Sequence, residues 1–345
     1  MTKKIVALAG DGIGPEIMAA GLEVLTAVAK KFSLTYQVEE RDFGGAAIDR
    51  HGHPLPAETL TACKGAHAIL LAAIGAPQYD EAHIRPERGL LMLRQELGLF
   101  ANIRPVKIFD PLRHLSPLKE ERIKGVDFVV VRELTGGIYF GQHHLEDRRA
   151  EDINAYSYEE IERIARQAFE IASRRKKRVT SIDKQNVLAT SKLWRRVLIE
   201  VAKDYPDVQL DHQLVDSAAM LMIIDPARFD VLVTENLFGD ILSDEASVLA
   251  GTLGVMPSAS HSETGPSLYE PIHGSAPDIA GQGLANPVSM ILSVAMMLRE
   301  SFDQGAAAEA VEIAVEQTFA QGILTRDLGG SASTTEMTEA IIRNL

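Results

Sequence analysis

The chain has 345 residues, of which 46% are hydrophobic and 24% are charged, as in ordinary soluble globular proteins. This length exceeds what one ordinary core holds, so we expect about two domains. The net charge of −13 argues against nucleic acid and membrane surfaces as partners, because their phosphates require a basic surface. The one cysteine, Cys63, allows no internal disulfide, and no apolar run is long enough for a signal peptide or a membrane span. We therefore predict a cytoplasmic protein.

Apolar runs that predict strands alternate with helical patterns along most of the chain. The runs are KIVALAG (4–10), LTYQVEE (34–40), AHAILLAAIG (66–75), DFVVVRE (127–133), KRVTSID (177–183), DVQLDHQLV (207–215) and FDVLVTE (229–235). This alternation favours an α/β fold with a mainly parallel sheet. After residue 285 only three helical patterns follow, and terminal helices must cover a sheet made earlier. We therefore predict a discontinuous first domain, 1–99 plus 252–345, with a second domain inserted at 100–251.

The first predicted turn, GDGIGPE at 10–16, links a strand to a helix through Gly10, Gly12 and Gly14. A dinucleotide-binding Rossmann turn has the spacing G-x-G-x-x-G, and here Pro15 stands where the third glycine should be. Proline suits the first turn of a helix. The segment therefore predicts a tight turn into a helix, and not a Rossmann fold.

Two aspartates, Asp240 and Asp244, lie four residues apart in NLFGDILSDEAS, just after the predicted strand FDVLVTE. Residues at i and i+4 share a helix face, so the two carboxylates repel each other unless a cation or an arginine lies between them. Oxygen ligands suit Mg²⁺ or Mn²⁺ better than zinc. The pair predicts a metal site; the alternative is a solvated helix face.

Three arginines lie at the ends of apolar patterns: Arg94 in LMLRQELGLF, Arg104 in ANIRPV and Arg132 in VVVREL. A guanidinium in such a place must pair with an anion. If the three converge, they form a cradle for a substrate with two carboxylates. Taken singly, each fits a structural salt bridge as well.

Lys184 and Tyr139 are candidates for proton transfer. Lys184 follows the predicted strand KRVTSID, where a lysine near a metal and a polar cluster can lose its proton and act as a base. Tyr139, in GGIYFGQ, can deliver a proton, although core tyrosines are also common.

The segment YEPIHGSAPDIAGQGLANP at 269–287 is too rich in glycine and proline for regular structure. Small residues let backbone amides approach a pyrophosphate, and His273 can stack on or bond to adenine. The alternative is an ordered surface loop.

Together these segments resemble the β-decarboxylating dehydrogenases of the isocitrate and isopropylmalate dehydrogenase type. The resemblance runs from end to end through GDGIGPE, RPERGLLMLRQELGLFANIRP, VRELTGGIYFG, DKQNVL, NLFGDILSD and EPIHGSAPDIAGQGLANP. It implies a two-domain open α/β sheet of the isopropylmalate dehydrogenase type. It also implies a homodimer with shared active sites, in which the first domain binds the cofactor and the second binds metal and substrate and forms the dimer.

The resemblance also assigns roles to residues. Arg94, Arg104 and Arg132 correspond to the arginines that hold the malate carboxylates. Asp216, Asp240 and Asp244 correspond to the metal ligands, with Asp216 and Lys184 reaching in from the partner subunit, where Asp216 also borders the substrate. Tyr139 and Lys184 correspond to the acid–base pair. The loop that binds the adenosine of NAD corresponds to His273, Gly274, Ser275, Ala276, Pro277, Asp278 and Asn286.

The substrate's C3 substituent should face Glu87, Leu90 and Leu91, and two leucines form an apolar wall suited to an isopropyl group. We therefore expect NAD-dependent oxidative decarboxylation of 3-isopropylmalate to 4-methyl-2-oxopentanoate and CO₂. The alternatives are D-malate, tartrate or homoisocitrate as substrate. An inactive subunit of a hetero-oligomer is a further alternative, but it predicts losses among the metal ligands and the Tyr–Lys pair, and all are present.

Overall fold

The computed structural model describes residues 2–79 and 81–345. The chain divides into two compact units, one of Met1–Leu99 with Thr252–Leu345 and one of Phe100–Gly251. The strands are β1 (Lys3–Gly10), β2 (Tyr36–Glu40), β3 (Ala68–Ala73), β4 (Leu99–Lys107), β5 (Asp127–Glu133), β6 (His143–Leu145), β7 (Ala150–Asp152), β8 (Arg178–Asp183), β9 (Gln209–Leu214), β10 (Val231–Thr234), β11 (Pro257–Ser262) and β12 (Ser267–Pro271). The helices are α1 (Gly14–Phe32), α2 (Gly44–His51), α3 (Ala57–Lys64), α4 (Pro86–Leu97), α5 (Glu120–Ile123), α6 (Tyr158–Ser173), α7 (Ala189–Ala202), α8 (Val215–Ile224), α9 (Asn236–Leu249), α10 (Val288–Glu300), α11 (Gly305–Ala320) and α12 (Thr334–Asn344).

In the first unit the strand order is β2-β1-β3-β12-β11, parallel except that β11 runs antiparallel to β12. Every residue of β3 is buried, as is the centre of β1, which is typical of parallel strands covered on both faces. Helix α10 is buried from Val288 to Leu298 and packs against β11, β12 and β3. The C-terminal helices thus cover the sheet of this unit.

The first turn of this unit forms as the sequence predicts. Gly10 and Gly12 have φ of +68° and +56°, in the left-handed region, and Pro15 lies in the first turn of α1. A Cβ atom on Gly12 would lie 2.1 Å from the carbonyl oxygen of Ser275. The same carbonyl accepts the amide of Ile13 at 2.8 Å, so the turn holds the loop that follows β12.

In the second unit the strand order is β4-β5-β10-β8-β9. Strands β5, β10, β8 and β9 are parallel, and β4 pairs with β5 in antiparallel register. The carboxyl ends of parallel strands lie at one edge of a sheet. Four candidate residues lie at or just beyond the carboxyl ends of β5, β10, β8 and β9, namely Arg132, Asn236, Lys184 and Asp216. Strands β6 and β7 form a separate exposed hairpin.

The α/β class and all seven predicted strands are confirmed, as are the three terminal helices. Five further strands were not predicted, namely β4, β6, β7, β11 and β12. Strands β6 and β7 are short and exposed, and β11 reads PSASHS, so these three lack apolar runs. Strand β4 contains Pro105, which proline's missing amide makes unusual inside a sheet. No helix in the described part of the chain combines the length and hydropathy needed to cross a membrane.

Candidate active site

Two antiparallel strands of the second unit align polar side chains on one face. Asn102 of β4 lies opposite Arg132 of β5, and Arg104 lies opposite Val130. Alternate residues of a strand share a face, as do residues directly opposite each other, so Asn102, Arg104 and Arg132 point the same way. Their hydrogen bonds run to one another and to helix α9, which follows β10.

Arg132 is almost fully buried, with 5% of its side chain exposed, and helix α9 supplies its partners. Its Nε donates to the carbonyl of Asn236 at 3.0 Å, one terminal nitrogen donates to the Asn236 side-chain oxygen at 2.8 Å, and the other pairs with Asp240. A Cβ atom on Gly239 would lie 2.6 Å from the Arg132 side chain, so the close approach of α9 requires glycine here.

Arg104 holds the second aspartate of the helix. One terminal nitrogen donates to Ser243 Oγ at 2.8 Å and to Asp244 Oδ1 at 3.1 Å, and its Nε donates to Asn102 Oδ1 at 2.9 Å. Each aspartate at positions i and i+4 therefore pairs with its own arginine. This arrangement offsets the repulsion between the two carboxylates that the sequence predicts.

Tyr139 joins the same network. Its hydroxyl donates to Asp240 Oδ2 at 2.7 Å, and its ring lies 5.9 Å from the Arg132 guanidinium carbon. Partial burial and, next, the hydrogen bond to Asp240 raise the pKa of Tyr139 above its ordinary value. The phenol therefore keeps its proton at neutral pH, as a proton donor must.

Lys184 and Asp216 form a second ionic pair at the same sheet edge, with the Lys184 ammonium donating to the Asp216 carboxylate. This hydrogen bond is the main reason that the pKa of Asp216 lies below its ordinary value. The turn that carries Lys184 is well fixed. Its amide donates to Ser191 Oγ at 3.0 Å, and the preceding Asp183 is buried and accepts two hydrogen bonds from Arg195, at 2.8 and 3.0 Å.

The three predicted metal ligands therefore lie in two places. Asp240 and Asp244 lie together on α9, whereas Asp216 is paired with Lys184. Within residues 2–79 and 81–345 of one chain, no three His, Cys, Asp or Glu side chains are grouped so as to hold a metal ion. All the predicted donors are carboxylate oxygens, which fit Mg²⁺ or Mn²⁺. The origin of Asp216 in a partner subunit stays a prediction.

In the first unit, helix α4 carries the other predicted substrate contacts. Glu87, Leu90, Leu91 and Arg94 are spaced three, four and seven residues apart and so share one face. Leu91 is 45% exposed, whereas Leu90 packs partly against the core. Arg94 donates to Glu270 of β12 at 3.2 Å. Its convergence with the two other arginines stays a prediction.

The predicted adenosine loop borders a cleft of about 630 Å³ in the first unit. The cleft is lined by Ile13, Thr252, Leu253, Gly254, His273, Gly274, Ala276, Ile279, Leu284, Ala285, Asn286, Arg326 and Asp327. The other predicted loop residues lie beside it. Ser275 is buried, with its hydroxyl donating to the carbonyl of Gly75 at 2.6 Å, and Pro277 and Asp278 are exposed on a short 3₁₀ turn.

His273 and Asn286 are the polar side chains of the loop that line the cleft. Burial lowers the pKa of His273, so the ring is neutral at pH 7. Its Nδ1 lies 2.9 Å from the Gly274 carbonyl and donates to it, which leaves the buried Nε2 as an acceptor with no partner in the described structure. Asn286 donates to Asp327 at 3.0 Å.

Sequence reasoning missed the residues that the C-terminal segment adds to this cleft, above all Arg326 and Asp327. They follow the loop by some forty residues, and no local motif marks them. It also missed Glu133 and Glu235, two buried acids at the ends of β5 and β10. Charged residues that flank apolar strands were the only available signal.

Comparison with known proteins places this chain among the oxidoreductases. Residues 4–341 match the model of the isocitrate/isopropylmalate dehydrogenase family, and the chain belongs to that family. A 3-isopropylmalate dehydrogenase from Streptococcus thermophilus is 74% identical over 345 residues, which is the full length of both chains. One from Lactococcus lactis is 67% identical and covers 100% of this chain and 99% of its own. Among solved structures, an isocitrate dehydrogenase from Methylococcus capsulatus has a TM-score of 0.89 at 37% identity, with 99% of each chain covered.

Proposed function

We propose that the protein catalyses the NAD⁺-dependent oxidative decarboxylation of 3-isopropylmalate to 4-methyl-2-oxopentanoate and CO₂, a step of leucine biosynthesis in the cytoplasm. The observation that carries the proposal is the 74% identity, over the full length of both chains, to an enzyme named for this substrate. The preserved chemistry supports it, since the Tyr139–Asp240–Arg132 network and the Lys184–Asp216 pair are both present.

Asp240, Asp244 and Asp216 would hold Mg²⁺ or Mn²⁺, and the cleft that contains His273 and Asn286 would hold the adenosine of NAD⁺. A bound cation would supply polarisation of the C2 oxygen and stabilisation of negative charge, and a bound nicotinamide would supply the acceptor for the C2 hydride. The carboxylate donor set and the volume of the cleft fit these two groups.

The side chains of the protein move the protons. Lys184 would take up the proton of the C2 hydroxyl, directly or through a water molecule. Tyr139 keeps its proton until C3 has lost CO₂, and it then protonates C3. Arg132 and Arg104 each donate in the plane of a guanidinium, which suits a substrate carboxylate. Binding of the substrate to these arginines would replace their contacts with Asp240 and Asp244.

The substrate's isopropyl group would lie against Leu90 and Leu91 of helix α4. Burial of this group contributes about 0.8 kcal/mol for each methylene-sized unit removed from water. Isocitrate has a carboxymethyl group in place of the isopropyl group, and two leucines give its carboxylate no partner. The exposure of Leu91 supports its use as a contact surface.

The active form would be a homodimer in which Lys184 and Asp216 serve the neighbouring active site. Helix α8, with the sequence VDSAAMLMII, is largely apolar, yet of its ten residues two are buried, Ala218 and Met222. Met220 is 63% exposed on this helix, and Ile241 is 60% exposed on α9. Exposed apolar helix faces of this kind favour a subunit interface. This surface supports a dimer formed through α8 and α9, close to Asp216 and Asp240.

The test is NADH formation with Mg²⁺ and a panel of 3-isopropylmalate, D-malate, tartrate, homoisocitrate and isocitrate. We expect the highest kcat/KM with 3-isopropylmalate. A higher kcat/KM with any other member of the panel would replace 3-isopropylmalate as the substrate. The absence of NADH formation with all of them would favour the alternative of an inactive subunit.

A further inference from the structure

A groove of about 380 Å³ in the second unit lies along helix α7. Of the lining residues that the structure describes, four are lysine or arginine and one is acidic. The lining consists of Gln185, Lys192, Arg195, Arg196, Ile199, Glu200 and Lys203. The acidic residue, Glu200, already accepts the Tyr158 hydroxyl at 2.9 Å. In a chain with a net charge of −13, this local excess of positive charge favours an anionic ligand.

Three of these cations have no internal partner. Lys192, Arg196 and Lys203 are exposed, and within residues 2–79 and 81–345 their side chains make no hydrogen bond or ion pair. They follow one another at intervals of four and seven residues, so they share one face of α7. The neighbouring carboxylate of Asp204 does not neutralise them, since it pairs with Arg166 at 3.0 Å. All three charges are therefore available to a ligand in the groove.

These charges do not stabilise the helix that carries them. Lys192 is the fourth residue of α7, near the positive end of the helix dipole, and the first turn contains no acidic residue. Arg195 and Arg196 follow Lys192 by three and four residues, where like charges on a helix repel each other. A bound anion beside these cations would offset both effects.

Arg195 connects the groove to the turn that carries Lys184. Its side chain is 26% exposed and donates to the buried Asp183 carboxylate at 2.8 and 3.0 Å. The same carboxylate accepts the backbone amide of Gln185 at 3.0 Å. Asp183 and Gln185 flank Lys184 in the sequence, and Arg195 and Gln185 both line the groove. A ligand in the groove would therefore border the turn that carries Lys184.

A guanidinium donates two parallel hydrogen bonds to phosphate oxygens, and an ammonium binds phosphate as a point charge. From Lys192 to Lys203 the cations span about 16 Å of helix, so linked phosphates contact more of them than a single phosphate does. We infer that the groove along α7 binds a small anion with linked phosphate groups and that the bound anion holds the turn that carries Lys184. The inference goes beyond the proposed function, because this binding requires neither substrate nor cofactor.

The test measures binding of orthophosphate, pyrophosphate and tripolyphosphate to the full-length protein by calorimetry, without divalent metal and in about 0.15 M KCl. We expect saturable binding whose affinity rises with the number of linked phosphates. Arg196→Gln and Lys203→Gln should each weaken tripolyphosphate binding roughly tenfold, the loss expected for one charge-assisted hydrogen bond. Arg196→Lys should retain part of the affinity, because the charge is kept. Arg326→Gln, which removes an exposed arginine from the cleft of the first unit, is the matched control and should bind tripolyphosphate normally.

Hydrogen exchange tests the link to the turn. The amides of Val187 and Leu188 donate to the carbonyl of Lys184 at 3.0 and 2.9 Å and so close this turn. Tripolyphosphate should slow their exchange in the wild type, and less so in Arg196→Gln at the same concentration. No saturable binding in the wild type, equal affinity in all variants, or a loss confined to the matched control would overturn the site. Unchanged exchange across 183–188 despite saturation with tripolyphosphate would overturn its link to the turn.

Discussion

Glu235 should make the stability of the protein fall as the pH rises. Glu235 directly follows β10 and is 4% exposed. Its carboxylate accepts a weak hydrogen bond from Asn154 at 3.5 Å. Burial, opposed by that bond and assisted by the charge of Glu133, raises the pKa of Glu235 from 4.5 to about 7. The folded protein therefore holds a proton that the unfolded chain releases above pH 4.5.

The sign and size of the effect follow from this difference. Between the unfolded pKa of 4.5 and the folded pKa of about 7, the folded state binds more protons, so stability falls as the pH rises and then levels off. A glutamine keeps the shape without the charge. We therefore expect the change in the free energy of unfolding caused by Glu235→Gln to be more stabilising at about pH 8 than at about pH 5, by roughly 2–3 kcal/mol.

Urea denaturation at both pH values, at one fixed protein concentration, measures this difference. The matched control is Glu120→Gln in the same unit, whose side chain is 74% exposed. This control should change the free energy of unfolding by less than about 0.5 kcal/mol at either pH. A Glu235→Gln variant that is destabilised at pH 8, or equally affected at both pH values, would refute the reasoning. It would mean that a charged Glu235 has a stabilising partner.

Four further predictions concern the active site. Asp240→Asn should lower kcat by at least roughly a hundredfold, because one strong electrostatic stabiliser is lost. EDTA should abolish turnover, and near-normal turnover in EDTA would show that the reaction needs no metal. Mixing inactive Lys184→Ala and Arg132→Ala subunits should restore activity, since half of the heterodimers' sites are intact; no recovery despite proven subunit exchange would exclude shared sites. Leu91→Ser should reduce the preference in kcat/KM for 3-isopropylmalate over D-malate by roughly tenfold, and an unchanged ratio would exclude this contact. NAD⁺ should be preferred to NADP⁺, because the Asp278 carboxylate would repel a 2′-phosphate. Asp278→Ala should reduce that preference in kcat/KM by roughly tenfold, and an unaltered preference would show that Asp278 does not cause it.

The local pattern of apolar residues along the sequence predicted most of the fold. Strands β1 and β5 contain the continuous apolar runs IVALA and FVVV, so their sequence alone predicts burial in a parallel sheet. Strands β11 and β12 pair with each other and β12 pairs with β3, but β11 consists mostly of small and polar residues and β12 has only two large apolar residues, so neither contains a long apolar run. The strands β6 and β7 have three residues each and are exposed, so they carry no apolar run that would predict a strand.

The candidate site was predictable in its parts and not in its connections. The spacing of Asp240 and Asp244 predicts that the two carboxylates need a cation or an arginine as a partner, and Arg132 pairs with Asp240 while Arg104 pairs with Asp244. The sequence could not show that these arginines hold the aspartates themselves, because that depends on the register of β4 with β5. Nor could it show that Arg326 lines the same cleft as His273 and Asn286, since the tertiary fold alone brings that turn there.

The central claim is that this chain oxidises and decarboxylates a malate with an apolar C3 group. Its most direct test follows NADH and CO₂ together in one reaction of the purified protein with 3-isopropylmalate, NAD⁺ and Mg²⁺, beside the same reaction with isocitrate. We expect equal amounts of NADH and CO₂ from 3-isopropylmalate and a far lower kcat/KM with isocitrate. Equal or faster turnover of isocitrate, or NADH formed without CO₂, would contradict it.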